Sequence, residues 1–343
     1  MRFSFRSLLD QFGDHLYGAI IPNTSVADVR ALAALLPPLS GAGVEYHLGT
    51  PTSRADVLLR ATNADSGREA LAGRHHEFAP APELLHSNDW RPIVRFCEAW
   101  GNPASRLYHQ VENVWLEFDI LPQLISGRVP SLFFDPDRHN REQDAEKLAI
   151  VATALTELGQ PVSERMSNFI SRCLRIAPEP AGLYYLGVML ARRTDAVRLC
   201  LNAIAPEDLV SYLRRLEWPG PTEIVERVLL PYACQTTRMI LDLDVGSTIH
   251  PNLGLELFFE TLSDWEQVLS RLISEGLCTP DESQKIMNWP GESRFTDPCL
   301  QHYLSGVVGK SVHRLIGRIN HLKLSCNSSG EITAKIYFYC AYS

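Results

Sequence analysis

The sequence predicts an α+β fold: a closed, antiparallel, ten-stranded β-barrel built from repeated ββαα units, with the helices outside. Three observations predict it. Pairs of short alternating segments, each followed by helical stretches, recur five times along the 343 residues. In every pair one face is rich in Leu, Val and Ile, while the other carries charged and aromatic side chains. No low-complexity linker interrupts the series, so we expect a single domain over residues 1–343.

The chain is expected to begin with a helical segment over residues 1–43, followed by the barrel at about 44–340. Apolar residues at three- and four-residue steps indicate helices at 7–18 and 25–36. The first strand pair then follows, because residues 44–48 and 56–60 alternate between apolar and polar side chains.

Four further strand pairs follow, each identified by the same alternation of side chains. They are Val114–Ile120 with Ser131–Asp135, Leu183–Arg192 with Ala196–Ile204, Met239–Val245 with Leu253–Phe259, and His321–Ser325 with Ile332–Tyr339. Helical periodicity between the pairs predicts helices at 141–158, 162–175, 206–217, 222–233, 263–275, 280–288 and 297–317. The turns within the pairs are short, as antiparallel hairpins require.

The polar faces of these strands decide between an open sheet and a barrel. They carry Trp115, Phe133, Tyr185, Tyr337 and Tyr339, which is more aromatic surface than a solvent-facing sheet usually shows. Ten strands also approach the size at which open sheets curl or close. Closure removes the exposed edges and leaves a roomy lumen, so we prefer a barrel to an open sheet whose polar face meets water.

Composition excludes several functional classes. With a net charge of -8 the chain has no overall basic field, and we expect no nucleic-acid partner. No apolar run reaches the ~20 residues of a membrane helix, so no membrane insertion is expected. Eight cysteines without a CxxC spacing are typical of reduced thiols in a cytoplasmic protein. The sequence also holds no P-loop, GxGxxG, GxSxG or HExxH motif, and no metal site is predicted.

Five antiparallel hairpins, outer helices and a polar, aromatic lumen resemble the aromatic prenyltransferases of the ABBA (PT-barrel) family. The resemblance covers nearly the whole chain, about residues 44 to 340, and rests on architecture. The last strand, Ala334–Tyr339, is similar to the basic-x-Tyr strands that line such barrels. The DDxxD signature of other prenyl-transfer folds is absent from the sequence, as this resemblance implies.

The resemblance implies a transferase of natural-product biosynthesis. Its partners would be an allylic isoprenoid diphosphate and an aromatic, small-molecule or peptide acceptor, which meet in the lumen. Glu117 or Asp119, beside Trp115, would accept the proton of the acceptor. Cationic and phenolic side chains would hold the diphosphate and shield an allyl cation. These side chains are Arg60, Arg198, Lys323, Lys335, Tyr185, Tyr337 and Tyr339.

The expected lumen also holds at least as many acids as bases, among them Asp242, Asp244 and Glu256. A diphosphate would be repelled unless a divalent cation bridged it to carboxylates, so Mg²⁺ is a possible cofactor. The acids can instead pair with Arg198 and the two lysines, or receive a cationic acceptor such as a guanidinium or an amine. An alternative function therefore stays open: a barrel, non-catalytic or with another chemistry, that binds a small molecule or peptide in a natural-product or peptide-modification pathway.

Overall fold

The computed structural model describes residues 5–6, 9, 13–50, 54–64, 66–120, 129–136, 144–160, 162–192, 194–289, 292–294 and 314–342. Eleven strands of this part of the chain form one antiparallel sheet. They are β1 (Gly41–His47), β2 (Arg54–Thr62), β3 (Asn113–Phe118), β4 (Ser131–Phe134), β5 (Gly182–Val188), β6 (Val197–Asn202), β7 (Arg238–Val245), β8 (Ile249–Phe258), β9 (Glu292–Arg294), β10 (Arg314–Cys326) and β11 (Ile332–Tyr342).

Strand β11 closes the sheet into a barrel, because it pairs with both β10 and β1. The closed ring contains ten strands, and the three-residue β9 lies outside it, beside the start of β10. This confirms the predicted fold class, a ten-stranded antiparallel barrel. All barrel strands lie between Gly41 and Tyr342, so β1 begins three residues earlier than the sequence predicted.

Alternation along each strand separates the outer face from the lumen. In β7, Leu241 and Leu243 are fully buried against the helices, while Asp242 and Asp244 on the opposite face line a cavity in the lumen. The outer face packs on helix side chains: the Phe134 ring lies 5.5 Å from that of Phe96 in a neighbouring helix. Apolar burial between helices and sheet stabilises this arrangement and leaves the polar face inside.

The helices connect consecutive hairpins. They span Gly13–Leu16, Val26–Leu35, Gly67–Leu71, Pro82–Leu85, Arg91–Trp100, Arg106–Gln110, Asp144–Glu157, Glu164–Arg175, Pro206–Leu216, Thr222–Ile224, Val225–Leu229 (a π-helical turn), Leu230–Ala233, Leu262–Ser274 and Pro280–Met287. Four of them begin at a hydroxyl N-cap whose side chain accepts a hydrogen bond from a backbone N–H of the first turn: Ser105, Ser163, Thr261 and Thr279. Among the residues described, none of these helices has the length and apolar character needed to cross a bilayer.

One predicted helix is wrong at its end. The sequence predicted a helix over 297–317, but β10 begins at Arg314 and pairs with β11 from Leu315 onward. Residues 297–313 lie outside the described part of the chain. Leu315, Ile316 and Ile319 have helical spacing, but the ladders to β11 and β9 make this segment extended.

The two ends of the barrel differ. Each hairpin turns at one end, which we call the hairpin end, and the connections that contain helices leave from the other, the helix end. The registers place Arg54 and His47 together at the hairpin end, and Gly41 with Arg60 near the helix end. The position of a residue along its strand, between these two ends, gives the depth of its side chain in the lumen.

Candidate active site in the barrel lumen

A cavity of about 340 Å³ lies in the lumen towards the helix end. All ten barrel strands contribute residues to its wall, and so does the segment directly after β4, through Asp135. The charged and aromatic faces predicted from the sequence therefore do meet around one chamber, which we call the upper cavity.

Aromatic rings line the upper cavity from several strands. The Trp115 and Tyr339 rings are 6.1 Å apart, and His321 stacks on Tyr337 at 4.1 Å. We call this set of rings the aromatic collar; it comprises Trp115, Tyr184, Tyr185, Phe258, His321, Tyr337 and Tyr339. Ring faces directed at a chamber can stabilise a cation inside it.

Three arginines lie over the collar near the helix end. The guanidinium carbon of Arg60 is 5.9 Å from the Trp115 ring centroid, that of Arg238 is 4.6 Å from Phe258, and that of Arg318 is 5.8 Å from Tyr339. In the described ranges no carboxylate lies within 4.0 Å of these guanidinium groups. Arg60 and Arg238 therefore bring to the wall of the upper cavity positive charge that no carboxylate of the described residues compensates.

Two of these arginines were missed by the sequence analysis. Arg238 precedes the predicted start of its strand by one residue, and continuing the alternation from Ile240 would have found it. Arg318 lies in the segment predicted to be helical. A register shift in β10 between Ile319 and His321 changes the face on which Arg318 lies, and the sequence gives no sign of it.

Glu117 lies in the wall of the upper cavity and is buried. Burial and the nearby Glu45 carboxylate raise the pKa of Glu117 to about 7, although Lys335 and Arg192 oppose this shift. The Arg192 Nη2 atom is 3.4 Å from its Oε1. A carboxyl group with this pKa exchanges protons near neutral pH, as a general base must.

Asp119, the other predicted catalytic carboxylate, is not part of the upper cavity wall. It lies deeper, towards the hairpin end, where Arg192 donates to its Oδ1 at 2.9 Å and Arg54 lies at 3.5 Å. Both predicted carboxylates are on the lumen face, but their depth along the barrel separates them.

An ionic floor closes the lumen below the upper cavity; it consists of Glu45, His47, Asp56, Lys335 and Arg54. Lys335 and the Tyr337 hydroxyl both donate hydrogen bonds to Glu45. The His47 Nε2 atom lies 3.1 Å from Glu45 and 2.8 Å from Asp56. Burial alone would raise the pKa of Glu45, but Lys335 and His47 hold it well below its usual value. Lys335, predicted to hold a diphosphate, is therefore compensated by Glu45.

The remaining predicted cations are also paired. Lys323 donates to Asp242 and, at 3.3 Å, to Glu256, and these two acids raise its pKa although burial lowers it. Arg198 binds Asp244 through two hydrogen bonds of 2.8 and 3.0 Å. The surplus acids of the predicted lumen therefore act as counter-charges. Of the four predicted cations, only Arg60 faces the upper cavity without a carboxylate partner among the described residues.

The Lys323–Asp242 contact depends on a glycine. A Cβ atom at Gly254 would lie 3.1 Å from Lys323 Cε and 3.2 Å from Asp242 Cβ. Because β8, which lies between β7 and β10, has no side chain there, the ion pair can pass over it.

Tyr185 is held by a short network at the helix end. Its hydroxyl donates to Asn113 Oδ1 at 2.6 Å, and Asn113 Nδ2 donates to Asp135 at 2.7 Å. Burial raises the pKa of Asp135 to about 7. The network fixes the orientation of one collar ring.

His321 was not among the predicted site residues, yet it lines the upper cavity. Burial, together with Lys323, lowers the pKa of His321 to about 3, so its imidazole is neutral. Its Nδ1 contacts the Asn320 amide at 3.1 Å, while the buried Nε2 has no hydrogen-bond partner among the described residues. His321 therefore presents an unused polar atom within the collar.

The upper cavity does not fit an Mg²⁺ ion. Of its three carboxylates, Asp135 is bound by Asn113, Glu256 by Lys323, and Glu117 by Arg192. The group Glu45, His47 and Asp56 has ligand atoms within 4.8 Å of one another, but Lys335 and Arg54 already bind it. These cations occupy the positions that a metal would need.

Comparison with solved structures identifies similar folds. Prenyltransferase PriB in its apo form aligns with a TM-score of 0.56 and 12% identity, covering 97% of this chain and 94% of PriB. A 6-dimethylallyl tryptophan synthase aligns with a TM-score of 0.54 and 13% identity, and the alignment covers 98% of this chain and 96% of the synthase. AnaPT from Neosartorya fischeri aligns with a TM-score of 0.53 and 11% identity, and the alignment covers 98% of this chain and 91% of AnaPT. At such identities the similarity shows the fold alone: the chain has the PT-barrel fold, and the predicted resemblance to the ABBA architecture is confirmed.

Sequence comparison adds nothing further, since no protein-family model and no curated protein matches the chain.

Proposed function

We propose that the protein binds an allylic isoprenoid diphosphate in the upper cavity and transfers the isoprenoid to an aromatic acceptor. The observation that carries this proposal is the composition of one chamber. Arg60 and Arg238, which have no carboxylate partner among the described residues, lie at its helix end. Aromatic rings surround its middle, and Glu117, with a pKa near 7, faces it from below. Two neighbours with the same fold are named as a prenyltransferase and a dimethylallyl tryptophan synthase, which supports the same reaction class.

In the first step the allylic carbon–oxygen bond breaks, and its electron pair leaves with the diphosphate. Arg60, Arg238 and Arg318 are suited to stabilise the growing negative charge, because guanidinium groups donate paired hydrogen bonds to phosphate oxygens. Arg60 lines the upper cavity and has no carboxylate partner in the described residues, which favours its guanidinium group as a ligand of such an oxygen. The diphosphate is thus expected at the helix end.

The allyl cation then lies among the collar rings, whose faces stabilise positive charge and exclude water. A ring carbon of the acceptor attacks the cation and forms the new carbon–carbon bond. The ring carbon must then lose its proton to restore aromaticity. Glu117 is placed to take it, because it is the cavity carboxylate that is not held by a lysine or an amide.

The ion pairs below the cavity keep diphosphate away from the hairpin end. Lys323 and Lys335 are each bound to buried carboxylates, which cancel the charge that an anion would need. The proposed diphosphate ligands therefore retain Arg60 from the sequence prediction and replace Arg198 and the two lysines with Arg238 and Arg318.

The pairing of Lys323 and Lys335 with carboxylates also favours an alternative function, binding without catalysis. A barrel whose lysines are neutralised could hold a small molecule or peptide without transferring anything to it. This alternative predicts binding in the upper cavity but no release of diphosphate.

The experiment that tests the proposal is incubation with dimethylallyl, geranyl and farnesyl diphosphates, each with indole, phenol and aromatic-peptide acceptors. Diphosphate release and prenylated product are measured together, with Mg²⁺ or with a chelator. We expect a prenylated product whose formation survives the chelator. Binding of an acceptor without any product from all three donors would favour the non-catalytic alternative.

A further inference from the structure

Glu117, the proposed proton acceptor, receives a hydrogen bond from the turn of another hairpin. The donor is the Nη2 atom of Arg192, which lies 3.4 Å from Glu117 Oε1. Arg192 belongs to the short 3-10 helix Leu190–Arg192 in the connection between β5 and β6, so it reaches Glu117 from the hairpin end of the barrel. This turn therefore brings a cation to a buried carboxylate of β3.

Arg192 is bound more closely to Asp119 than to Glu117. Its Nη2 donates to Asp119 Oδ1 at 2.9 Å, and its Nε donates to Asp119 Oδ2 at 3.2 Å. Glu117 and Asp119 are two residues apart in one extended segment, so both face the lumen. The Nη2 atom thus serves both carboxylates, and Asp119 limits how closely the guanidinium group approaches Glu117.

The other ionisable groups that act on Glu117 belong to facing strands and have partners of their own. They are Glu45 of β1, Lys323 of β10, and Lys335 and Tyr337 of β11. Glu45 binds Lys335 and the Tyr337 hydroxyl, and Lys323 binds two acids of β7 and β8. Beyond Asp119, Arg54 of β2 lies 3.5 Å from its Oδ1. Among the cations of the described residues, only Arg192 lies within 4.0 Å of the Glu117 carboxylate.

A base in such a buried position needs a cation nearby, but not a complete ion pair. Burial and the Glu45 charge favour the protonated form of Glu117, which cannot accept a proton, whereas Arg192 favours the ionised form. A complete ion pair would keep the carboxylate ionised but would make it a weaker base. Because Asp119 takes two of the three hydrogen bonds from Arg192, the guanidinium group stabilises the Glu117 carboxylate only in part.

We infer that Arg192 is a positioning residue for Glu117, and that Asp119 holds Arg192 at the distance that keeps Glu117 usable as a base. The inference rests on the proposed function, because it assigns roles around the proposed proton acceptor. Asp119, which the sequence predicted as a possible proton acceptor, thereby receives an indirect role through Arg192.

Replacing either partner should move the protonation of Glu117, in opposite directions. Arg192→Met removes the cation and keeps a long side chain, so the midpoint of Glu117 protonation should rise by about one pH unit. Asp119→Asn removes a negative charge and releases Arg192 towards Glu117, so the midpoint should fall. Arg192→Lys keeps the charge without the paired donors and should restore part of the wild-type midpoint.

Two measurements report this midpoint. Infrared difference spectra between each protein and its Glu117→Gln counterpart show the carbonyl band of the protonated Glu117 carboxyl, and they need no turnover. In steady-state kinetics, Arg192→Met should transfer the isoprenoid about tenfold more slowly than wild type at pH 6, with a much smaller difference well above the midpoint. The control is Arg172→Met, which removes an arginine of an outer helix that binds Glu217. Its side chain is 31% exposed, against 40% for Arg192, and its loss should leave the midpoint unchanged.

Midpoints that stay unchanged in the folded Arg192→Met and Asp119→Asn proteins, or that move in the same direction, would overturn the inference. An ion pair that only stabilises the turn would lower stability without changing the protonation of Glu117. Product formation with unmoved midpoints would overturn the inference alone. Opposite shifts without product from any donor would show that Arg192 controls Glu117 but that the proposed function is wrong.

Discussion

The guanidinium carbon of Arg60 lies 5.9 Å from the ring centroid of Trp115, its register partner on the neighbouring strand. No carboxylate of the described residues neutralises Arg60, and its Nε is buried without a hydrogen-bond partner. Most other charged side chains of the lumen are paired, as Lys335 is with Glu45. This contrast is the reason for proposing that an anion binds at the helix end of the upper cavity.

Replacing Arg60 should weaken the use of the isoprenoid diphosphate. We expect Arg60→Ala to raise the donor KM about tenfold or more, because hydrogen bonds to charged groups contribute about 1.5–3 kcal/mol. Arg60→Lys should recover only part of the loss, since it restores charge but not the paired donors. Steady-state kinetics at varied donor concentration measure both. The control is Arg214→Ala, which removes an exposed arginine paired with Glu226; an equal effect there would refute a specific role for Arg60.

The two carboxylates predicted from the sequence should behave differently. Glu117→Gln removes the proposed proton acceptor and should lower kcat about 10²–10⁴-fold, with little change in the donor KM. Asp119→Asn should lower kcat far less, because Asp119 lies outside the cavity wall and binds Arg192 and Arg54. Single-turnover product formation measures the effect on chemistry. If Asp119→Asn were the more damaging change, the assignment of the base would be wrong.

The rate of transfer should depend on pH through Glu117. Only the ionised carboxylate accepts a proton, and its pKa is about 7. We therefore expect kcat to rise about tenfold per pH unit below pH 7 and to level off above it. The Glu117→Gln variant should lose this dependence. A wild-type profile that is flat between pH 5 and 8 would contradict the proposed base.

Glu117 should also cost stability at neutral pH. Its pKa rises from the ordinary 4.5 to about 7 on folding, so the folded state binds more protons between these values. The contribution of Glu117 to the free energy of unfolding therefore falls as the pH rises from about 4.5 to 7.

Glu117→Gln should accordingly become more stable relative to wild type over that range, with a constant difference above it. Urea denaturation at several pH values measures this difference. A gap that shrinks as the pH rises would contradict the raised pKa.

The Glu45–Lys335 pair should stabilise the barrel. Glu45 is completely buried, and it joins β1 to β11 at the point where the barrel closes. Glu45→Gln leaves a largely buried lysine without its counter-charge, so we expect a loss of about 3 kcal/mol in the free energy of unfolding. Glu226→Gln breaks the exposed pair with Arg214 and should cost less than about 1 kcal/mol. Similar losses of unfolding free energy in both variants would mean that the Glu45–Lys335 pair stabilises the barrel no more than an exposed pair does.

Much of this molecule could be predicted from its sequence. A period of two along a strand determines which side chains share a face, so Asp242, Glu256 and Lys323 were assigned correctly to the lumen. The repetition of hairpins and helices gave the layer order, and the number of strands favoured closure. These features depend on local pattern, which a sequence contains.

Other features depend on depth and on contacts between distant residues. Periodicity does not say that Asp119 lies deeper than Glu117, because depth depends on the register between strands. The partners Glu45 and Lys335 are 290 residues apart, and only closure of the barrel brings them together. The register shift in β10 placed Arg318 where alternation alone would not put it. The cytoplasmic location and the single domain stay predictions, and the chelator experiment tests whether Mg²⁺ takes part.

Calorimetric titration with a dimethylallyl diphosphate analogue that carries a non-reactive sulfur bridge tests the central claim most directly. Wild-type protein should bind one analogue per chain, and Arg60→Ala combined with Arg238→Ala should lose measurable binding while the fold is retained. No saturable binding to wild type, or equal binding to the double variant, would contradict a diphosphate site at the helix end of the barrel.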